Sequence, residues 1–280
     1  MRKITSFKEI ASDYELYIFD LWGVVHDGVV LLEQTMRFIE YLRSANKKII
    51  YLSNCPRPFA TQLASLANKG FALSEQERIV TSGDFFRACF INDDQNMFAG
   101  KKIYNLGAEC NADLLSGLDV KYAPDIPSAD YVILSGFVDD MNLLTKWDNE
   151  LALANEHNIP AICVNPDVNT PNGNRLRYTP GSFAQKFQDL GGQVYFYGKP
   201  YLPIYEYALA SFAIEKDRMI VIGDSLATDI KGAMNYGIDS LLLLSGVHAG
   251  VSPKSDIAVQ QLLSQFEASP TFVIDKPNFA

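Results

Sequence analysis

Short runs of β-branched and aromatic residues alternate along this chain with longer stretches in which apolar residues recur at helical spacing. In the first block, residues 17–21, 48–53 and 79–81 predict strands. Between the first two, Met36, Ile39 and Leu42 form one helical stripe; between the second and third, Phe59, Leu63, Leu66 and Ala67 form another. A last block repeats the pattern, with strands predicted at 194–197, 219–222 and 240–244 and helices near 203–212 and 229–236. Four consecutive leucines, Leu241 to Leu244, suit a strand covered on both faces. A short final strand is predicted at 272–274.

The middle of the chain carries its own alternation: strands at 103–106, 131–134 and 161–164, and a helix across 143–154. Residues 165–179 are rich in Asn, Pro, Gly and Arg and predict a long loop. The expected fold class is therefore α/β. A Rossmann-like, doubly wound parallel core is formed from residues 1–96 and 193–280, and a second α/β module, residues 97–192, is inserted into it.

Length and charge narrow the function. The 280 residues suffice for such a two-part enzyme, and the net charge of −9 argues against nucleic-acid binding, which needs clustered Lys and Arg. A small phosphorylated metabolite remains a suitable partner if a metal and a few basic groups set the local field. The apolar run from Leu16 to Val25 contains Asp20 and is too short to span a membrane, and no secretory signal follows Arg2 and Lys3. Cys55, Cys89, Cys110 and Cys163 lack metal-ligand spacing and read as free thiols of a cytoplasmic protein. A homodimer is left open.

Four fragments fall at the C-terminal ends of predicted strands, the edge at which open parallel sheets bind ligands. They are Asp20 to Val24, Ser53-Asn54, Gly198-Lys199-Pro200 and Gly223 to Asp229. Taken singly, each has an ordinary reading as a turn, a cap or a solvated charge. Together they supply a carboxylate nucleophile (Asp20), a hard-cation site for Mg²⁺ (Asp20 with Asp224), a point charge for phosphoryl oxygens (Lys199) and hydroxyl and amide donors (Ser53, Asn54).

In that order the fragments resemble the four motifs of the haloacid dehalogenase superfamily. The insertion between the second and third is similar to the C2-capped, class IIA branch, which includes NagD-like sugar phosphatases and the 4-nitrophenyl and pyridoxal phosphate phosphatases. Asn165-Pro166-Asp167 resembles a cap motif of that branch. The resemblance implies a Mg²⁺-dependent phosphatase of a small metabolite, such as a sugar phosphate. Asp20 would be nucleophile and metal ligand, Asp224 the other carboxylate ligand, Asp229 support for the metal shell, and Ser53, Asn54 and Lys199 phosphate binders. Trp22 would touch the metal through its main-chain carbonyl.

At Trp22 the chain departs from the pattern, because the family's phosphatases carry there a second Asp as acid and base, worth roughly 10²–10⁴-fold. His26 and Asp27 are candidate substitutes. Other readings are a substrate whose leaving group needs no acid, a phospholigand-binding protein of low turnover, or a phosphotransferase. Arg57 is a candidate for a second anionic group, and Asp139, Asp140, Asn165, Asp167, Arg175 and Arg177 are candidates to face the cleft from the cap.

Overall fold

A computed structural model describes residues 1–93, 97–173, 175–248 and 256–280. The chain opens with β1 (Arg2–Lys3) and β2 (Leu16–Phe19), then runs through α1 (Glu33–Ser44), β3 (Lys48–Ser53), α2 (Phe59–Ala67), β4 (Arg78–Thr81) and α3 (Ser82–Asn92). A second series follows: β5 (Lys102–Leu106), β6 (Lys121–Tyr122), β7 (Tyr131–Leu134), α4 (Asp148–Glu156) and β8 (Ala161–Cys163). It continues with β9 (Asn169–Asn172), β10 (Arg175–Tyr178), α5 (Pro180–Asp189) and β11 (Val194–Phe196). The chain closes with α6 (Leu202–Leu209), β12 (Met219–Gly223), α7 (Lys231–Tyr236), β13 (Asp239–Leu243), α8 (Asp256–Phe266) and β14 (Phe272–Ile274).

Seven strands form one sheet in the order β1-β14-β13-β12-β2-β3-β4, every pair parallel. Burial on both faces explains the unbroken apolar runs. In β2, Tyr17 and Phe19 enter one core, whereas Leu16 and Ile18 enter the core on the opposite face. The leucine run behaves as expected, with Leu241 and Leu243 on one side and Leu242 and Leu244 on the other. Because β2 leads on to β3 and β12 leads on to β13, the strand order reverses between the central pair. The crevice at their carboxyl ends is therefore the natural ligand site.

The second sheet has the order β11-β8-β7-β5-β6 and is also parallel. Apolar clusters built around Phe183 and Phe187 on one face and Phe86 and Phe98 on the other cover it. Two expectations need correction here. β11 was expected in the core block, yet it pairs with β8, so the chain returns to the first sheet only after Phe196. Residues 165–179 are not simply a loop: β9 and β10 form an antiparallel hairpin, with Thr170 opposite Arg177. Neither β9 nor β10 has a fully buried position, which erases the alternation that marks a strand in sequence. Among the described residues no helix is long and apolar enough to cross a membrane. Among the described residues none of the four cysteines forms a disulfide.

Candidate active site

The Asp20 amide donates to Ile222 O (2.9 Å), extending the β2–β12 ladder by one step and fixing the carboxylate at the crevice. The chain then turns tightly: Val25 N and His26 N both donate to Leu21 O, and Gly23 N donates to His26 O (2.7 Å). No hydrogen bond to Trp22 O is made among the described residues. Gly23 adopts φ +78°, and a Cβ there would lie 1.9 Å from Asp224 Oδ2. Glycine is required both by the turn and by the neighbouring carboxylate.

Lys199 is buried, and its ammonium donates to Asp20 Oδ1 (2.7 Å), Leu52 O (2.9 Å) and Asp229 Oδ1 (2.6 Å), using all three hydrogens. Burial alone would lower its pKa, but Asp20, Asp229 and Asp167 outweigh that and hold it well above the ordinary lysine value. Asn54 positions this lysine: its Oδ1 accepts from Lys199 N (2.7 Å), and its Nδ2 donates to Lys199 O (3.1 Å) and Asp167 Oδ1 (3.0 Å). The Asn54 amide is thus spent on the strand end rather than offered to the cleft as the sequence implied. Gly198, at φ +140°, leaves the room; a Cβ would lie 2.5 Å from Asn54 Oδ1. Ser53 Oγ accepts from Cys55 N (3.2 Å), which leaves its hydroxyl hydrogen to donate.

Asp229 is equally committed. One oxygen takes Lys199; the other accepts from Asp224 N and Ser225 N, both at 3.1 Å. Asp224 Oδ2 accepts from Val247 N (2.8 Å), a contact that nothing in the sequence pattern signalled. Oxygens of Asp20, Asp224 and Asp229 lie within 4.8 Å of one another. Burial pushes the carboxyls of Asp20 and Asp224 up; Lys199 opposes this at Asp20, whereas at Asp224 the charges of Asp20 and Asp229 add to it. Lys199 bonds Asp20 and Asp229, and among the described residues Asp224 has no cation. A hard cation between Asp20 and Asp224 fits this donor set, with Asp229 bracing it from behind.

Removing the lysine tests the electrostatics. Lys199→Met leaves buried carboxylates facing one another, so stability at neutral pH is expected to fall by about 3–5 kcal/mol. Urea unfolding in the presence of chelator measures it; an unchanged midpoint would contradict this account of the cluster.

Above the carboxylates lies a cleft of about 70 Å³ lined from the first sheet by Asp20, Trp22, Ser53, Asn54 and Arg57. Asn111, Phe137, Asn165 and Asp167, in loops of the inserted module, line it from the other side, with Thr170 and Arg177 of the β9–β10 hairpin. Asn165, Asp167 and Arg177 thus meet the expectation for cap residues. Asp139 instead pairs with Arg177 (2.6 Å), Asp140 caps the turn at Asn142, and Arg175 is exposed on the hairpin outside the cleft.

Both proposed stand-ins for the missing acid are misplaced. His26 is 1% exposed, packs edge-on against Trp22 (4.7 Å between centroids) and does not line the cleft. Its Nδ1 accepts from Gly28 N (2.9 Å), and its Nε2 has no partner among the described residues. Asp27 caps its own turn through Val29 N and Val30 N. Burial lowers the His26 pKa to about 4. The unfolded chain therefore takes up a proton first as pH falls from about 6.5 toward 4, and about 3 kcal/mol of stability is lost across that window. His26→Gln is expected to flatten the stability–pH curve there, with a remaining slope from the similarly lowered His248. Parallel wild-type and variant curves would contradict a neutral, buried His26.

Comparisons with known proteins agree with this architecture. A haloacid dehalogenase-like hydrolase family model matches residues 17–121, and a HAD-hydrolase-like model matches residues 196–276. An acid sugar phosphatase of Staphylococcus saprophyticus is 27% identical over 249 residues, covering 88% of this chain and 91% of its own. Phosphoglycolate phosphatase 2 of Arabidopsis thaliana is 24% identical, with 87% of each chain covered. Among solved structures, a haloacid dehalogenase-like hydrolase from Brucella suis superposes with a TM-score of 0.82 at 27% identity, covering 98% of this chain and 99% of that one. A putative NagD protein superposes with a TM-score of 0.65 at 25% identity, covering 87% and 92%. With carboxylates at the ends of the two central strands and a second α/β sheet inserted between the matched segments, the chain belongs to the haloacid dehalogenase-like hydrolases, in their NagD-like branch.

Proposed function

We propose that the protein is a Mg²⁺-dependent phosphatase of a small phosphorylated metabolite, a sugar phosphate among the candidates, acting through a phosphoryl-Asp20 intermediate. The observation that carries this reading is the buried Asp20–Lys199–Asp229 array beside an Asp224 that has no cation among the described residues. Asp20 attacks phosphorus, the bond from phosphorus to the leaving oxygen breaks, and the electron pair departs on that oxygen. Water then attacks phosphorus of phosphoryl-Asp20, releasing phosphate and the carboxylate. Lys199 opposes the burial that pushes the Asp20 carboxyl up and places its charge on the phosphoryl group, and the Ser53 hydroxyl donates to a phosphoryl oxygen. Asp20, Asp224 and Trp22 O would hold Mg²⁺, which when bound neutralises phosphate charge. Kinship with phosphatases of sugar phosphates and phosphoglycolate supports the substrate class.

Mg²⁺ at about 100 times its dissociation constant is expected to raise Tm by roughly 5 °C. Asp224→Asn is expected to lose that shift, together with the hydrolysis of p-nitrophenyl phosphate. A shift retained in the variant would move the metal elsewhere. Trp22 favours one second reading, slow turnover with transfer of the phosphoryl group to an alcohol. A product burst that an added alcohol converts to steady turnover would select it.

A further inference from the structure

The lysine of the carboxylate array reaches it from the inserted module. Tyr197 N donates to Cys163 O (2.9 Å), extending the β11–β8 ladder one step beyond Phe196, so only Gly198 separates the second sheet from Lys199. Lys199 itself lies outside every strand and helix. Its backbone needs partners, since buried N–H and C=O groups are costly to leave unpaired, and the Asn54 carboxamide supplies both. Asn54 has a second N–H, which donates to Asp167 Oδ1 (3.0 Å). Both hydrogens and the oxygen of the carboxamide are thereby committed, and its plane is fixed at three points.

Asp167 is held in turn by the inserted module. Its N donates to Asn165 Oδ1 (3.1 Å), and its O accepts from Thr179 Oγ1. A Cβ on Gly181, at the start of α5, would lie 2.3 Å from that carbonyl oxygen. Beside Asp167, the Pro166 ring packs on Gly198, where a Cβ would lie 2.7 Å from Pro166 Cδ. The turn from Asn165 to Asp167 therefore bears on Gly198 directly and on Lys199 through Asn54.

We infer that Asp167 is a positioning residue for phosphoryl transfer: from the inserted module it fixes the Asn54 carboxamide, and through it the backbone from which Lys199 reaches the phosphoryl group. The inference rests on the phosphatase reading and adds to it a residue outside the first sheet. No bond of Asp167 forms or breaks in the reaction. Without an acceptor at this position, one Asn54 N–H is left unpaired in a buried site, and the carboxamide that clamps Lys199 is free to turn. The clamp needs an oxygen acceptor rather than a charge, because an amide oxygen takes the same N–H.

The test compares Asp167→Ala and Asp167→Asn with the wild type on p-nitrophenyl and ethyl phosphate. Asp167→Ala is expected to lower kcat by about tenfold on both esters while KM changes far less. Asp167→Asn recovers kcat to within about threefold of the wild type, since the acceptor is restored. In a cycle with Asn54→Ala, the double variant is expected to match Asn54→Ala within about threefold, because the two residues act in series. Should Asp167→Ala lose native melting, Asp167→Leu takes its place, with nearly the same shape and no acceptor. Wild-type kcat in the variant without an acceptor, or additive losses in the cycle, overturns the inference. A loss shared by Asp167→Asn and confined to ethyl phosphate also overturns it, and makes Asp167 the proton donor. If the wild type hydrolyses neither ester, the phosphatase reading has failed, and amide hydrogen exchange followed by NMR then decides the positioning separately. Exchange at Lys199 N–H about tenfold faster in Asp167→Ala, and near the wild-type rate in Asp167→Asn, supports it. Equal protection in all three proteins overturns it.

Discussion

Asp20→Asn is expected to abolish phosphatase activity, lowering kcat by roughly 10⁴-fold or more, because an amide cannot serve as the oxygen nucleophile of a two-step displacement. The fold should persist. Asn keeps an oxygen to accept from Lys199, and the substitution removes one of two carboxylates that burial and mutual repulsion penalise. Native melting with lost turnover is therefore the expected pair of results, read by calorimetry and by hydrolysis of p-nitrophenyl phosphate. Turnover retained within about tenfold would remove Asp20 from the chemistry.

The second large effect runs the other way. Trp22→Asp is expected to raise turnover of alkyl phosphates by roughly 10²–10⁴-fold while changing aryl phosphates far less, because only the alkyl leaving group needs a proton as it departs. Trp22 lines the cleft beside Asp20, and neither His26 nor Asp27 reaches that cleft. Cys55 offers no acid either, since its thiol donates to Gln62 and burial pushes its pKa up to about 11. Among the described residues Asp167 is the other carboxyl lining the cleft besides Asp20, and one of its oxygens is held by Asn54. Equal gains on alkyl and aryl esters would sink the leaving-group account of Trp22. A wild type already efficient on alkyl esters, and slowed by Asp167→Asn, would instead make Asp167 the proton donor.

What the sequence made legible follows the strength of each physical signal. The central strands read clearly because burial on both faces leaves unbroken apolar runs, and their ends carried Asp20 and Asp224 to one edge. β9 and β10 were hidden because their residues are half-buried or exposed, and Pro171 and Gly173 read as loop punctuation. β11 was placed in the wrong sheet because its apolar character fixes burial but not which strand it pairs with. Asn54 was assigned to phosphate, whereas its amide holds the Lys199 backbone across 145 positions of sequence, a contact that no local pattern encodes. His26 had a suitable ordinary pKa and a suitable place in the chain. Only the packing of Trp22 over it shows that it stays dry and away from the cleft.

The central claim is covalent chemistry at Asp20, and trapping the intermediate tests it most directly. Wild-type protein turning over p-nitrophenyl phosphate with Mg²⁺ is quenched in acid, reduced with borohydride and mapped by peptide mass spectrometry. The account predicts that Asp20 is converted to homoserine, the product of reducing an aspartyl phosphate, and that the conversion needs both substrate and metal. Steady turnover with Asp20 unmodified, or with the label on another residue, would contradict it.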